Sequence, residues 1–271
     1  MKHIILLFAC VYLAFSVNLS AQNVAGSVEI GVYSAYQFTH FSGGYIEPQS
    51  FKANTEPFSS KGVTVGGMVE YHISSLFSFV GLLRYEVLSG QRSLNGGLYP
   101  IKLPDGTEIT RTIYYQYEIT APQITSSVLS KIKVSDTKFS ILGGVNLGVL
   151  INDKHEERLE LEGYSFNINQ DTIGFPQPPL STKGYNWKFT DDSHSSITTY
   201  SGPIYQRTAL QLGLTAGLQY DLPIYTLDEV AQKFVTLTPS VLFNYNLTTY
   251  SDYEKLRAWN VSAGFVLKVG L

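Results

Sequence analysis

The 271 residues carry a formal net charge of −3, and only 15% of them are charged, well under the roughly 25% of soluble domains. That balance gives no basic footprint for nucleic acid, and a mean hydropathy of +0.02 excludes a bundle of transmembrane helices. With 19 Tyr and 15 Phe, the composition fits strands that are apolar on one side and polar on the other, the balance a membrane β-barrel needs.

Met1, Lys2 and His3 precede an apolar run from Ile4 to Val17, followed by small and polar residues to Gln22. This is the pattern of a secretory signal peptide, and the expected cleaved segment is 1–21, with 22–271 as the mature barrel. Cys10 is the only cysteine. Leu7-Phe8-Ala9-Cys10 resembles a lipoprotein box, but the apolar core runs past it, so Cys10 is expected to leave with the signal.

Beyond residue 22 no apolar run reaches the roughly 18 residues of a helical span. Alternation with period 2 takes over. The first strand places Val28, Ile30, Val32, Tyr36 and Phe38 on one face, with Glu29 and Gln37 on the other. The second places Val63, Val65, Val69, Tyr71 and Ile73 opposite Glu70 and His72, and the third places Phe77, Phe79, Leu83, Tyr85 and Val87 opposite Arg84 and Glu86.

The segment from Thr112 to Ile132 is less regular. Ile113, Tyr115, Tyr117 and Ile119 share one parity, while Ile124, Val128 and Ile132 share the other. A bulge near Ala121-Pro122 would bring both sets to a common outward face; on that reading Glu118 faces inward. Four regular strands follow, with apolar faces running from Phe139 to Ile151, Leu210 to Leu222, Val235 to Leu247 and Trp259 to Leu271. None of the seven regular apolar faces holds Asp, Glu, Lys or Arg. A lipid-facing Lys or Arg near the midplane costs about 2–4 kcal/mol, so lipid exposure selects for this exclusion. Pro122 and Pro239 fall inside strands and need a bulge or an unpaired position.

Ser74-Ser75 and Ser135-Asp136-Thr137 make tight turns, and 223–232 forms a short link expected to be helical at Thr226 to Ala231. The links 39–61, 89–111, 152–206 and 248–255 are longer. Short turns on one rim and long loops on the other are the habit of outer-membrane barrels. The expected fold is therefore all-β: a transmembrane antiparallel up-and-down barrel, eight strands, short periplasmic turns and long extracellular loops, in a bacterial outer membrane. Closure pairs the first strand with the last, which brings Glu29 near Lys268 across the seam.

From Tyr115 the chain reads Tyr-Gln-Tyr-Glu-Ile-Thr-Ala-Pro-Gln-Ile, and from Phe139 Phe-Ser-Ile-Leu-Gly-Gly-Val-Asn-Leu-Gly-Val-Leu. This resembles the PorT-like outer-membrane β-barrel domain family, in which a Tyr-x-Glu-Ile-Pro strand turns into a Gly-rich one. Pro122 departs from that pattern, standing three residues after Ile119 rather than next to it. The resemblance implies the barrel and its location, and an accessory role in an envelope secretion apparatus.

A search for chemistry returns little. His40, His155 and His194 fall in long links and His72 near a turn, with no metal-binding spacing. Ser195 with His194 and Asp191 can be drawn as a triad, but adjacent side chains on an extended chain point apart. The run from Asp153 to Glu162 could offer oxygens to a cation, yet Lys154 and Arg158 interleave with its acids. No catalytic, cofactor or metal residue is assigned, and the chain is read as no enzyme.

Glu29, Glu70, Arg84, Glu86, Glu118 and Lys268 are expected in the lumen, paired into a plug, because an eight-stranded interior is about filled by its own side chains. Tyr164, Phe166, Tyr185, Trp187 and Tyr200 form a candidate binding surface on the long loop. Expected partners are outer-membrane lipids, the barrel-assembly machinery, and envelope or secretion proteins met through the loops. A narrow channel, a lipid-acting membrane enzyme and a soluble ligand-binding barrel stand as alternatives.

Overall fold

The computed structural model describes residues 25–42, 58–102, 107–135, 137–161, 188–189, 196–228, 233–252 and 255–271. The expected signal segment lies outside them. The strands in chain order are β1 (Val28–Ser42), β2 (Phe58–His72), β3 (Phe77–Lys102), β4 (Glu108–Lys133), β5 (Phe139–Leu150) and β6 (Lys154–Leu161). They continue with β7 (Lys188–Phe189), β8 (Ser196–Gly202), β9 (Leu210–Tyr220), β10 (Leu222–Asp228), β11 (Lys233–Asn246) and β12 (Arg257–Gly270).

Eight of them, β1-β2-β3-β4-β5-β9-β11-β12, close a ring in which every neighbour is antiparallel. No edge is left facing lipid, as a bilayer without water requires. Among the described residues no helix is long and apolar enough to cross a membrane.

The register fixes the geometry of the ring. Stepping straight across it from Val28 leads through Tyr71, Phe79, Ser130, Gly143, Ala216, Phe243 and Val261, and returns to β1 at Phe38. The stagger is thus ten residues over eight strands. With a rise of about 3.3 Å per residue and a strand spacing of about 4.8 Å, it tilts the strands by about 40°. Each residue then gains about 2.5 Å of height.

Along the lower part of the ring the apolar parity faces out: Ile30, Val32, Val63, Val69, Leu83, Val128, Leu214 and Phe265 are all exposed. Higher up, the two faces exchange polarity with no change of register. On β4, Ile124, Val128 and Ile132 face out, while Ile113, Tyr115, Tyr117, Ile119 and Ala121 are buried. The bulge expected near Ala121-Pro122 is absent. β3 and β4 stay in one register from Phe77↔Ile132 to Asn95↔Tyr114, and the shift falls later, between Asn95 and Leu98. The polarity flips because β4 leaves the membrane there: its outer face meets water, and its inner face packs against other apolar side chains.

Pro122 and Pro239 each sit where the neighbouring strand changes. Pro122 pairs with Val87 of β3, while on its other side β5 ends its pairing at Gln123 and β6 begins at Thr120. Pro239 likewise faces the break between β9, paired from Ser240, and β10, paired from Leu237. The ladder bond that proline cannot donate is not required at such a break. Two further expectations are corrected. Residues 222–228 form strand β10, pairing with β11, in place of a helix starting at Thr226, and much of the 89–111 link is a continuation of the β3–β4 hairpin.

Candidate functional site

Inward parity from six strands meets at the periplasmic end of the lumen. The Lys268 ammonium lies 2.8 Å from Glu29, 2.8 Å from Glu70 and 2.9 Å from Asp221. Lys131 bridges Glu70 at 3.0 Å and Asp221 at 2.7 Å. The Ser78 hydroxyl donates to Glu70 at 2.7 Å and the Thr238 hydroxyl to Asp221 at 2.7 Å. His72 stands beside both glutamates, 3.5 Å from Glu29 and 3.8 Å from Glu70. Glu29, Glu70 and His72 have the spacing of a metal site, but the Lys268 ammonium already stands between the two carboxylates. Two ammonium groups thus bind three carboxylates in a desolvated layer, which holds together only when each charge keeps its partners.

Above this layer Tyr33, Met68, Val80, Leu82, Leu129, Leu142 and Val266 form an apolar belt inside the barrel. A second polar layer follows. Arg84 donates to Ser127 at 3.3 Å and Asn244 at 3.2 Å, and Asn244 donates to Asn260 at 2.7 Å. Glu86 accepts from Gln123 at 2.9 Å and also from Thr125. Arg84 and Glu86 therefore share a layer but bind amides and hydroxyls, and they are not in the ion cluster.

The extracellular mouth is closed by a separate apolar core. Phe41, Phe58, Leu88, Ile113, Tyr117, Ile119, Leu159, Ile204, Tyr250 and Leu256 are buried there together. Phe41 stacks on Phe58 with centroids 4.8 Å apart, and Phe58 meets Tyr117 edge-on at 5.6 Å. Burial pushes the Tyr250 phenol well above its usual range, and the Glu86 charge adds to the effect. Strand β6 pairs with the upper part of β4, β8 with β6 and β7 with β8, so a sheet stands above the membrane-facing wall. Its base is tied by Asp153, which accepts the Ile204 backbone N–H at 2.7 Å and the Arg207 guanidinium at 2.5 Å. On the water-facing side of β6, Glu156 loses ground to burial, yet contacts with Lys154 and Arg158 outweigh it and hold the carboxyl below its ordinary range.

Of the residues singled out in the sequence, Glu29, Glu70 and Lys268 come together, and Arg84 and Glu86 lie higher in the lumen. Glu118 does not face the lumen. It is exposed on the outer parity of β4, opposite Gln91 and Glu156, because the expected bulge is missing. Tyr164, Phe166, Tyr185 and Trp187 lie outside the described residues. Tyr200 is half-buried and packs toward the lobe: its ring lies 5.1 Å from His155 and its hydroxyl donates to the Pro203 carbonyl at 2.5 Å. Sequence reasoning missed Lys131 and Asp221. Both were readable by parity, since Lys131 alternates with Ile132 and Asp221 with Tyr220 and Leu222.

Solved structures similar to this chain are bacterial outer-membrane barrels. Ail, the attachment invasion locus protein of Yersinia pestis, is 11% identical with a TM-score of 0.36, over 90% of this chain and 99% of its own. Neisserial surface protein A is 12% identical with a TM-score of 0.34, over 89% and 96%. The outer membrane protease OmpT of Escherichia coli is 8% identical with a TM-score of 0.32, over 93% and 100%. No curated protein matches the sequence. The family model of the outer membrane protein β-barrel domain matches residues 20–252, and with its closed eight-stranded ring and an apolar band around the outer wall, the chain belongs to that outer-membrane family.

Proposed function

We propose that this barrel is a non-enzymatic display scaffold, holding its extracellular lobe outside the membrane for binding or assembly. The observation that carries this reading is the lumen: an ion-paired layer at one end and an apolar core at the other leave the wall as a support and not a conduit. The β4-β6-β8-β7 sheet gives the long loop a rigid base, and rigid elements position a binding surface better than a free loop does. The PorT-like resemblance of the β4 and β5 segments favours an envelope-secretion role for that surface.

Purified protein in a planar bilayer, beside a variant lacking 155–200, tests the reading. The intact chain is expected to give no steady unitary current. The variant is expected to insert and to lose the cell-surface phenotype, since the deleted segment pairs only with the upper part of β4, above the membrane-facing wall. Steady single-channel steps from the intact chain would replace this reading with a channel. An altered lipid profile after incubation with mixed lipids would replace it with an enzyme.

A further inference from the structure

On β1, β2, β3, β4 and β12 the polarity exchange marks the extracellular border of the outer apolar band. On β1 it falls at His40, whose neighbour Phe41 is buried in the extracellular core. Lys61 of β2 stands directly across from Phe38, and Arg257 of β12 directly across from Ser42. All three positions share the outward parity, and Lys61 and Arg257 are exposed.

The stagger turns this diagonal into a level line. Ten residues over eight strands mean that a path of constant height slips about 1.25 residues per strand. Lys61, His40 and Arg257 therefore lie within about 2 Å of one height, at lateral steps of about 6 Å. Straight reading of the strand pairs would set them on three separate rows.

The row beneath is aromatic. Phe38 and Trp259 lie with centroids 6.2 Å apart, Phe243 and Trp259 5.9 Å apart, and His40 stacks on Trp259 at 4.9 Å. The His40 ring also shares a 3.1 Å hydrogen bond with the Ser59 hydroxyl, which fixes its place on the rung. At the same height on the far side the outer face is apolar, with Leu210, Leu247 and Pro122. The outward carboxylates Glu118, Glu156 and Glu160 belong to β4 and β6, and Asp252, in the loop before β12, accepts the Thr249 hydroxyl. Neither Lys61 nor Arg257 has an ion-pair partner among the described residues.

We infer that the β2-β1-β12 face binds the phosphate-bearing headgroup of an outer-leaflet glycolipid, with Lys61 and Arg257 as the charge contacts and Phe38 and Trp259 packing on its acyl chains. The two cations stand about 13 Å apart along the rung, which suits an elongated headgroup with two phosphates better than a single small anion.

The test uses full-length protein in detergent, with bisphosphorylated lipid A, its dephosphorylated form and phosphatidylcholine as probes, read by native mass spectrometry. Lys61→Gln with Arg257→Gln is expected to lower lipid A retention about 30-fold, the scale of two interfacial cations, and to leave dephosphorylated lipid unaffected. A Lys133→Gln control, near the opposite rim, is expected to behave as the parent. Equal lipid A retention in parent and double variant overturns the inference, as does equal loss of both lipid forms.

A second measurement leaves the patch intact. Trp187→Phe leaves Trp259 as the single tryptophan of the two. Brominated lipid A is expected to quench its fluorescence at lower mole fraction than brominated phosphatidylcholine. Identical quenching curves overturn the inference.

Discussion

The ammonium of Lys268 lies 2.8 Å from Glu70, joining the last strand to the second across β1. Replacing Lys268 with Met leaves Glu29, Glu70 and Asp221 with Lys131 as the one remaining ammonium. Removing one member of a buried ion network costs about 3–5 kcal/mol. Urea unfolding of the variant in lipid should show a loss of that size, little changed by salt; a loss below about 1 kcal/mol would mean the layer is hydrated and weakly coupled.

Two neighbouring glycines of β5 should respond oppositely to alanine. At Gly144 a Cβ would run into the Val128 carbonyl oxygen and the Leu129 backbone, whereas at Gly143 it meets nothing within 4 Å. Gly144→Ala is expected to destabilise the barrel by about 1–3 kcal/mol, as overpacking does. Gly143→Ala, on the lipid side, should be tolerated. Equal midpoints in the same unfolding assay would contradict the tight approach of β4 and β5.

Asp153 ties the base of the extracellular sheet through Ile204 and Arg207. Asp153→Ala leaves that N–H and guanidinium without their acceptor and should loosen the lobe while sparing the ring. Limited proteolysis should cut between 152 and 206 several-fold faster, with the heat-shifted gel mobility of a folded barrel retained. Unchanged cleavage would show that the apolar core alone holds the lobe.

Tyr250 gives the extracellular core an alkaline limit. Its folded-state pKa is raised by burial, so the folded protein holds this proton at pH values where the unfolded chain, ionising near 10, has lost it. The stabilisation is complete below about pH 10 and declines as pH rises toward the folded-state value. Tyr250→Phe should flatten that decline and, by removing contacts to Asn246 at 2.5 Å and Gln123 at 3.3 Å, cost about 1 kcal/mol at neutral pH. The same alkaline slope in both proteins would exclude Tyr250 as its source.

Alternation along β1, β2, β3, β5, β9, β11 and β12 was legible because a membrane barrel wall obeys one rule on each face: no charge toward lipid, polar or small groups within. That rule made the barrel and the Glu29–Lys268 approach readable from parity alone. It failed on β4, where the change of polarity at Ala121-Pro122 looked like a change of register and sent Glu118 to the wrong side.

The sequence by itself determined which side chains share a face, since parity in an extended chain is local and needs no partner. The tertiary structure decided what each face meets, because solvent, lipid and lumen are assigned by the closure and height of the whole ring. Lys131 and Asp221 lie 90 positions apart in the chain, yet they become one ion pair when β4 and the end of β9 reach the same level. Lys61, His40 and Arg257 likewise form a single rung only through the ten-residue stagger, a property of eight strands together that no one strand encodes.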